Sequence, residues 1–182
     1  MKQEIHEELG ILQGTSINVD GGVFTVRGPK GEIQKKLYNP KIKVSVTNIM
    51  VVFEAKKGTQ REKRLIKAHI AHLKNMIKGV NQAHNYKLRI CSSHFPMTAS
   101  VKGNVFEIKN FVGETIPRIL ALPEGVKVSV DGHFVIVEGV NKEKAGQTAA
   151  LIEKLTRRAA FDKRVFQDGI YIIEKDGKPV IK

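Results

Sequence analysis

Apolar positions along this chain change period twice, and in the same order each time. Ile17 and Val19, then Val23, Phe24 and Val26, flank the turn Asp20-Gly21-Gly22. Alternation around paired glycines, where φ > 0 is available, predicts a β-hairpin. Gly28-Pro29-Lys30-Gly31 is a second turn, Lys43-Val44-Ser45-Val46 alternates again, and Ile49 to Phe53 is a denser apolar run. From Thr59 the period becomes helical: Ile66, Ile70, Leu73, Ile77 and Val80 fall on one stripe, with Lys63, Lys67, Lys74 and Lys78 on its flank. Thr59 and Glu62 have capping-box spacing, and Gly79 is the expected stop. Tyr86 to Ile90 then reads as a last strand.

The second half repeats this order. Val126, Val128 and Val130 alternate up to Asp131-Gly132, and Phe134 to Val137 follow. Asn141 is placed to cap a helix. At about 100° per residue, Ala145, Ala149, Ile152, Leu155, Thr156 and Ala159 share one face of it. Lys144, Gln147, Lys154 and Arg158 share another, with Leu151 close to the basic side. A narrow stripe of small residues suits a helix packed closely on a sheet.

Individual residues match across the halves. Val19 to Val26 aligns with Val101 to Ile108, eighty-two residues later, and the same offset pairs Gly31-Glu32 with Gly113-Glu114 and Leu37 with Ile119. Lys43-Val44-Ser45-Val46 recurs intact as Lys127-Val128-Ser129-Val130. Order, spacing and apolar phase agree, so one small domain has been duplicated. A period near eighty residues is too long for a solenoid. The expected fold is α+β: two similar domains, 1–94 and 95–182, each with short antiparallel strands in sheets packed around one principal helix. The junction is expected at Ser92-Ser93-His94-Phe95-Pro96, where Pro96 favours extended backbone before it.

Charge says what such a fold would meet. The 182 residues carry 31 Lys+Arg against 18 Asp+Glu, a net charge of +13, and the isoelectric point is near 9.9. An excess of this size points to a polyanion, nucleic acid before a membrane surface. No apolar run approaches the roughly 20 residues that span a bilayer. The opening MKQEIHEELG has neither the apolar core of a signal peptide nor the acid-poor composition of a transit peptide. Cys91 is the single cysteine, so no internal disulfide is possible and a reducing compartment is expected. Aromatic residues are 6% of the chain and Trp is absent, which leaves few platforms for reading single-stranded bases. Residues 1–90 hold 17 Lys+Arg against 7 Asp+Glu, a net of +10; residues 91–182 hold 14 against 11, a net of +3.

Candidate chemistry is sparse. Gly28-x-x-Gly31 has the spacing of a KH clamp, but a clamp joins two helices and this one lies between strands, so a β-turn is expected. His69 and His72 are three apart on a helix, a metal-ligand spacing; without a placed acidic or cysteine partner, His69 is expected as a packed histidine. Cys91 has no activating base nearby in the sequence and reads as a small residue at a strand end. There is no phosphate loop, and the acidic residues form no acid/base pair. No enzyme, cofactor, metal or small-molecule substrate is expected.

The repeat, Gly28-Pro29-Lys30-Gly31, Gly146-Gln147-Thr148-Ala149-Ala150, and above all Arg164-Val165-Phe166-Gln167-Asp168-Gly169-Ile170-Tyr171 resemble a known family. It is the archaeal and eukaryotic branch of the large-subunit ribosomal protein L-six family, whose eukaryotic cytosolic member is called L-nine. The resemblance runs from about Gly14 to Lys178, and the C-terminal stretch is its specific part. It implies a cytoplasmic, structural ribosomal protein that binds large-subunit rRNA chiefly through its second domain. The implied position is near the sarcin–ricin loop and the stalk base, beside other large-subunit ribosomal proteins. The matching RNA-binding positions are Lys142, Lys144, Gln147, Lys154, Arg157, Arg158, Lys163, Arg164, Lys175 and Lys178. A free-standing RNA-binding or RNA-chaperone protein would use the same faces. The family's usual entry is replaced here by Ile11-Leu12-Gln13-Gly14. Charge count favours the first half as the RNA site and the resemblance favours the second. Arginine placement fixes register where total charge does not, so the second half is expected to carry the main site.

Overall fold

Gly21 and Gly22 take φ of +54° and +80°, and the hairpin they close is the first recognisable piece of a computed structural model that describes residues 3–47, 49–93, 95–159, 162 and 164–180. The chain divides into two units, Met1–Ala83 and His84–Lys182. Unit 1 runs β1 (Gln3–Gly10), β2 (Ser16–Asp20), β3 (Val23–Gly28), β4 (Gly31–Lys36), β5 (Lys43–Val46), β6 (Met50–Gly58) and α1 (Gln60–Gln82). These strands make two antiparallel sheets, ordered β2-β3-β4 and β1-β6-β5. Gly28 and Gly31 pair across their turn, so this GxxG joins two strands. Helix α1 packs across β3 and β6. Phe24, Val26, Val51, Phe53, Ile66, Leu73 and Val80 lose all solvent exposure, with the Phe24 and Phe53 rings stacked at 6.2 Å.

The capping box forms: the Glu62 carboxylate accepts from the Thr59 amide at 2.8 Å and from its hydroxyl. Those two bonds hold the Glu62 pKa at about 2. The buried stripe differs in phase from the expected one. His69 is buried within it, whereas Ile70 is half-buried. Burial, and then His72, push the His69 pKa down. The helix also passes Gly79 and ends after Gln82, with Ala83 at φ +47° bonding back to Gly79 O at 2.9 Å. The reason is tertiary. Val80 seats against Gly28, where a Cβ would lie 2.8 Å from it, and the Val80 carbonyl accepts from the Lys30 amide at 2.8 Å. The last turn is held by the β3–β4 turn.

Unit 2 repeats this plan with β7 (His84–Cys91), β8 (Thr98–Lys102), β9 (Val105–Lys109), β10 (Arg118–Ala121), β11 (Val126–Asp131), β12 (Phe134–Gly139) and α2 (Lys142–Leu155). It then adds β13 (Gly169–Lys175) and β14 (Lys178–Pro179). The meander β8-β9-β10 matches β2-β3-β4, and β11-β12-β7 matches β5-β6-β1. Strands β13 and β14 extend the latter into a five-stranded antiparallel sheet. The expected α+β duplication is the observed one.

The two units part at the step between Ala83 and His84, upstream of the expected boundary after residue 94. Strand β7 opens unit 2; it does not close unit 1. It occupies the place of β1: Leu9 pairs with Val51, and Leu88 pairs with Val135. It is also the middle strand of its sheet, laddered to β12 on one side and β13 on the other. Pairing on both edges outweighs nearness in sequence to α1. Ser92, Ser93, Phe95 and Pro96 of the expected junction therefore lie inside unit 2, between β7 and β8, while His94 lies outside the described residues.

The repeat register also differs from the expected pairing of Leu37 with Ile119. Leu37 matches Leu122, three residues beyond Ile119. Both leucines are buried, and both amides donate at 2.8 Å to the preceding hairpin, to Gly22 O and Asn104 O respectively. Ile119 is 66% exposed. Unit 2 thus carries a three-residue insertion before β10, within a segment whose Phe111–Gly113 forms a single 3-10 turn.

Candidate nucleic-acid interface

Helix α2 begins where Asn141 Oδ1 accepts from the amides of Glu143 at 2.9 Å and Lys144 at 3.3 Å. Its buried side is small, as the pattern required: Ala145, Thr148, Ala149 and Ile152 are fully covered by the sheet. A Cβ at Gly146 would lie 3.0 Å from Tyr86 Oη, so the glycine lets helix and β7 approach closely. The opposite side turns Lys144, Gln147, Leu151 and Lys154 to solvent at helical spacing. Fourteen residues extend this stripe over about 21 Å.

The helix stops at Leu155, which corrects the expected faces. Arg158 and Ala159 lie beyond it, so Arg158 does not share a helical row with Lys144 and Lys154, and Ala159 is exposed. Thr156 ends the helix by donating its hydroxyl to Glu153 O at 3.0 Å while accepting from the Ile170 amide at 3.0 Å. That second bond ties the helix end to β13. Arg118 closes the end from β10: Nη1 donates to Leu155 O at 2.5 Å and reaches Arg157 O at 3.4 Å. Its Nε and Nη2 both bond Glu114 at 2.7 Å, and its guanidinium stands 4.4 Å from the centre of the Phe111 ring. The Arg118 bonds, and the nearby Arg158 charge, hold the Glu114 carboxyl below its ordinary value. Orphan carbonyls at a helix end need such partners. The turn carrying Arg157 and Arg158 is therefore fixed from beneath.

Other expected contact residues separate. Lys142 lies at the start of α2, with Nζ 3.7 Å from Asp176 Oδ2. Asp176, at φ +54° in the β13–β14 turn, also receives the fully buried His84 through Nδ1 at 3.1 Å. Lys175 and Lys178 face each other across that hairpin, both exposed. Arg164 folds back on Asp162, with Nη2–Oδ2 at 2.8 Å, and this bond holds the Asp162 carboxyl below its ordinary value. Lys163 lies outside the described residues. The structure thus gathers Lys154, Arg157 and Arg158 at one end of α2, and Lys142, Lys175 and Lys178 around Asp176 at the other.

Nothing in the sequence pattern marks Arg118 or Phe111 as supports of the helix end, and Glu114 enters that pattern only as the repeat match of Glu32. Arg118 occupies the ladder position of the buried Ile33: Ile33 pairs with Val26, and Arg118 with Ile108. The three-residue insertion hides that correspondence. Val112 beside it has φ +50°, a left-handed backbone that β-branched residues avoid at a cost of about 1–3 kcal/mol.

Counted by these two units, charge divides more evenly. Residues 1–83 hold 15 Lys+Arg against 7 Asp+Glu, a net of +8, and residues 84–182 hold 16 against 11, a net of +5. Unit 1 still presents Lys63, Lys67 and Lys74 on the open side of α1, with Lys78 half-buried.

Comparison with known proteins finds a match to the family described as Ribosomal protein L6, over residues 12–83 and again over 95–169. Curated relatives named large ribosomal subunit protein uL6 cover nearly the whole chain. That of Methanosarcina mazei is 41% identical, over 96% of this chain and 99% of its own. That of Methanococcus vannielii is 42% identical, over 96% of each. That of Nanoarchaeum equitans is 39% identical, over 98% and 97%.

Proposed function

Because this chain belongs to the ribosomal protein L6 family, we propose that it is a structural component of the large ribosomal subunit, binding large-subunit rRNA chiefly through unit 2. Its place is the cytoplasmic ribosome, among other large-subunit proteins, near the sarcin–ricin loop and the stalk base. The role is architectural and not catalytic. The rRNA-binding domain is residues 84–182, the expected C-terminal half with β7 added.

The observation that carries this reading is the turn at the end of α2. Arg157 and Arg158 stand on backbone held by Arg118 and Thr156, so their guanidinium groups meet phosphates with little ordering cost. Guanidinium also pairs with phosphate bidentately, which the hydrated point charge of lysine cannot do. Lys144, Gln147 and Lys154 extend the contact along α2, and Lys142, Lys175, Lys178, Lys163 and Arg164 supplement it.

The test is a salt titration of the full chain against the cognate rRNA fragment and an unrelated duplex. Replacing Arg157 and Arg158 by Ala should flatten the log–log salt slope by roughly two units, taking the duplex-DNA coefficient as a guide. Lys67→Ala with Lys74→Ala should change cognate binding much less. If the lysine pair loses more, the main contact lies on unit 1. Loss of the protein from large subunits after a high-salt wash would favour the free-standing RNA-chaperone reading.

A further inference from the structure

Behind the Arg157–Arg158 turn is a cleft of about 200 Å³. It opens where the inserted segment, the end of α2 and β13 meet. Phe111, only 2% exposed, and the left-handed Val112 line one part of it. Tyr171 and Phe166, 39% and 47% exposed, line another. Glu153 and Asp168 bring carboxylates to the lining, and Arg157 and Arg158 complete it.

This mixture discriminates among ligands. A bare phosphate would meet the arginines but also two carboxylates and an apolar wall. An aliphatic ligand would offer no donor to the carboxylates beyond those the chain itself supplies. A heteroaromatic ring with N–H donors on one edge, joined to phosphates, suits every part. The volume is below the roughly 300–1,000 Å³ of sites that hold whole small molecules, and so takes a base and not a complete nucleotide. The carboxylates are not equivalent. Asp168 Oδ1 already accepts from the Ser93 amide at 2.5 Å and hydroxyl at 2.6 Å, whereas Glu153 Oε1 accepts from the Ile172 amide at a longer 3.3 Å. Tyr171 is held in place by donating its hydroxyl to Gln167 O at 3.2 Å. Burial first, then Cys91, Asp168 and Glu153, raise its pKa, so that proton stays.

The duplicate provides a control within the molecule. In unit 1 the corresponding turn is Pro29-Lys30, without the inserted residues and without an aromatic, and it is sealed by the Lys30 N to Val80 O bond. Unit 2, and not unit 1, has the inserted segment that forms the cleft.

We propose that this cleft receives the base of one unpaired guanosine of large-subunit rRNA, stacked against Tyr171 and Phe166, its Watson–Crick donor edge on Glu153, with the flanking phosphates on Arg157 and Arg158. Unstacked bases held on aromatic side chains are the usual means of sequence-specific RNA recognition. A carboxylate matches the paired N1–H and N2–H donors of guanine, which adenine and uracil do not offer. The inference rests on unit 2 being the rRNA-binding unit.

The experiment uses the full chain bound at saturation to large-subunit rRNA. Kethoxal reports the guanine Watson–Crick edge, dimethyl sulfate reports adenine N1, and hydroxyl radicals report the backbone. One unpaired guanine should be shielded by the native chain and regain its reactivity with Glu153→Gln and with Phe166→Ala, both chosen at half-exposed or exposed positions. The backbone footprint should persist at saturation, while Phe166→Ala weakens affinity on the order of tenfold. A backbone footprint with no guanine differing between native chain and variants would overturn the base site alone. Shielding of an adenine in place of guanine would overturn the role given to Glu153. Absence of any footprint would overturn the parent reading, and this one with it.

Discussion

Replacing Arg118 by Gln should loosen the end of α2 before it affects anything else. The guanidinium makes two 2.7 Å bonds to Glu114 and one of 2.5 Å to Leu155 O, and lies over Phe111 at 4.4 Å. A hydrogen bond to a charged group contributes about 1.5–3 kcal/mol. The pair with Glu114, whose side chains are 23% and 30% exposed, adds at most about 1 kcal/mol after solvent screening. The ring contact adds about 0.5–1 kcal/mol. These contributions share one group and do not add in full, and Gln retains a donor. Unit 2 should therefore lose about 2–3 kcal/mol. The amides of Thr156 and Arg157, bonded to Glu153 O at 3.3 Å and Lys154 O at 3.0 Å, should exchange hydrogen roughly 30- to 150-fold faster. Arg118→Lys should fall between, since it keeps the charge but not the fork. The effect should also depend on pH. Glu114 titrates below its ordinary 4.5 in the folded chain, so its pairing stabilises fully above that value and is lost as pH falls through the lowered one. The gap between native and Arg118→Gln chains should narrow below about pH 4.5. The assay is urea unfolding by circular dichroism at neutral and acidic pH, with amide exchange read by mass spectrometry. Unchanged exchange at the helix end, with a stability change under about 0.5 kcal/mol, would refute the clamp.

Two further outcomes test the packing. Gly146→Ala, which in an ordinary helix would stabilise by about 1 kcal/mol, should destabilise here because its Cβ meets Tyr86 Oη at 3.0 Å and Cζ at 3.3 Å; adding Tyr86→Phe should recover part of the loss, and a stabilised single variant in thermal melts would show that helix and sheet are not so close. A fragment of residues 84–182 should unfold cooperatively while 95–182, lacking the middle strand β7, should not; an equally cooperative transition in the shorter fragment would return the boundary to residue 94.

Features legible in the sequence are those set by neighbours along the chain. The glycines of the Asp20-Gly21-Gly22 and Asp131-Gly132 turns take positive φ because no Cβ opposes it. Thr59 with Glu62, and Asn141, cap their helices with oxygens only two or three residues from the amides they serve. The duplication was readable because alternation and helical period place the same faces inward in both halves. Tertiary structure decided the rest. Helix α1 runs past Gly79 because Val80 finds its place on the β3–β4 turn, and α2 stops at Leu155 because Arg118, 37 residues away, takes its carbonyl. Strand β7 belongs to unit 2 because both of its edges find ladders there, and an isolated eight-residue strand carries no mark of its partners. Cationic residues could be named from the sequence, but their grouping at opposite ends of α2, and the cleft behind Arg157, required backbone pairing across long separations, which periodicity does not encode.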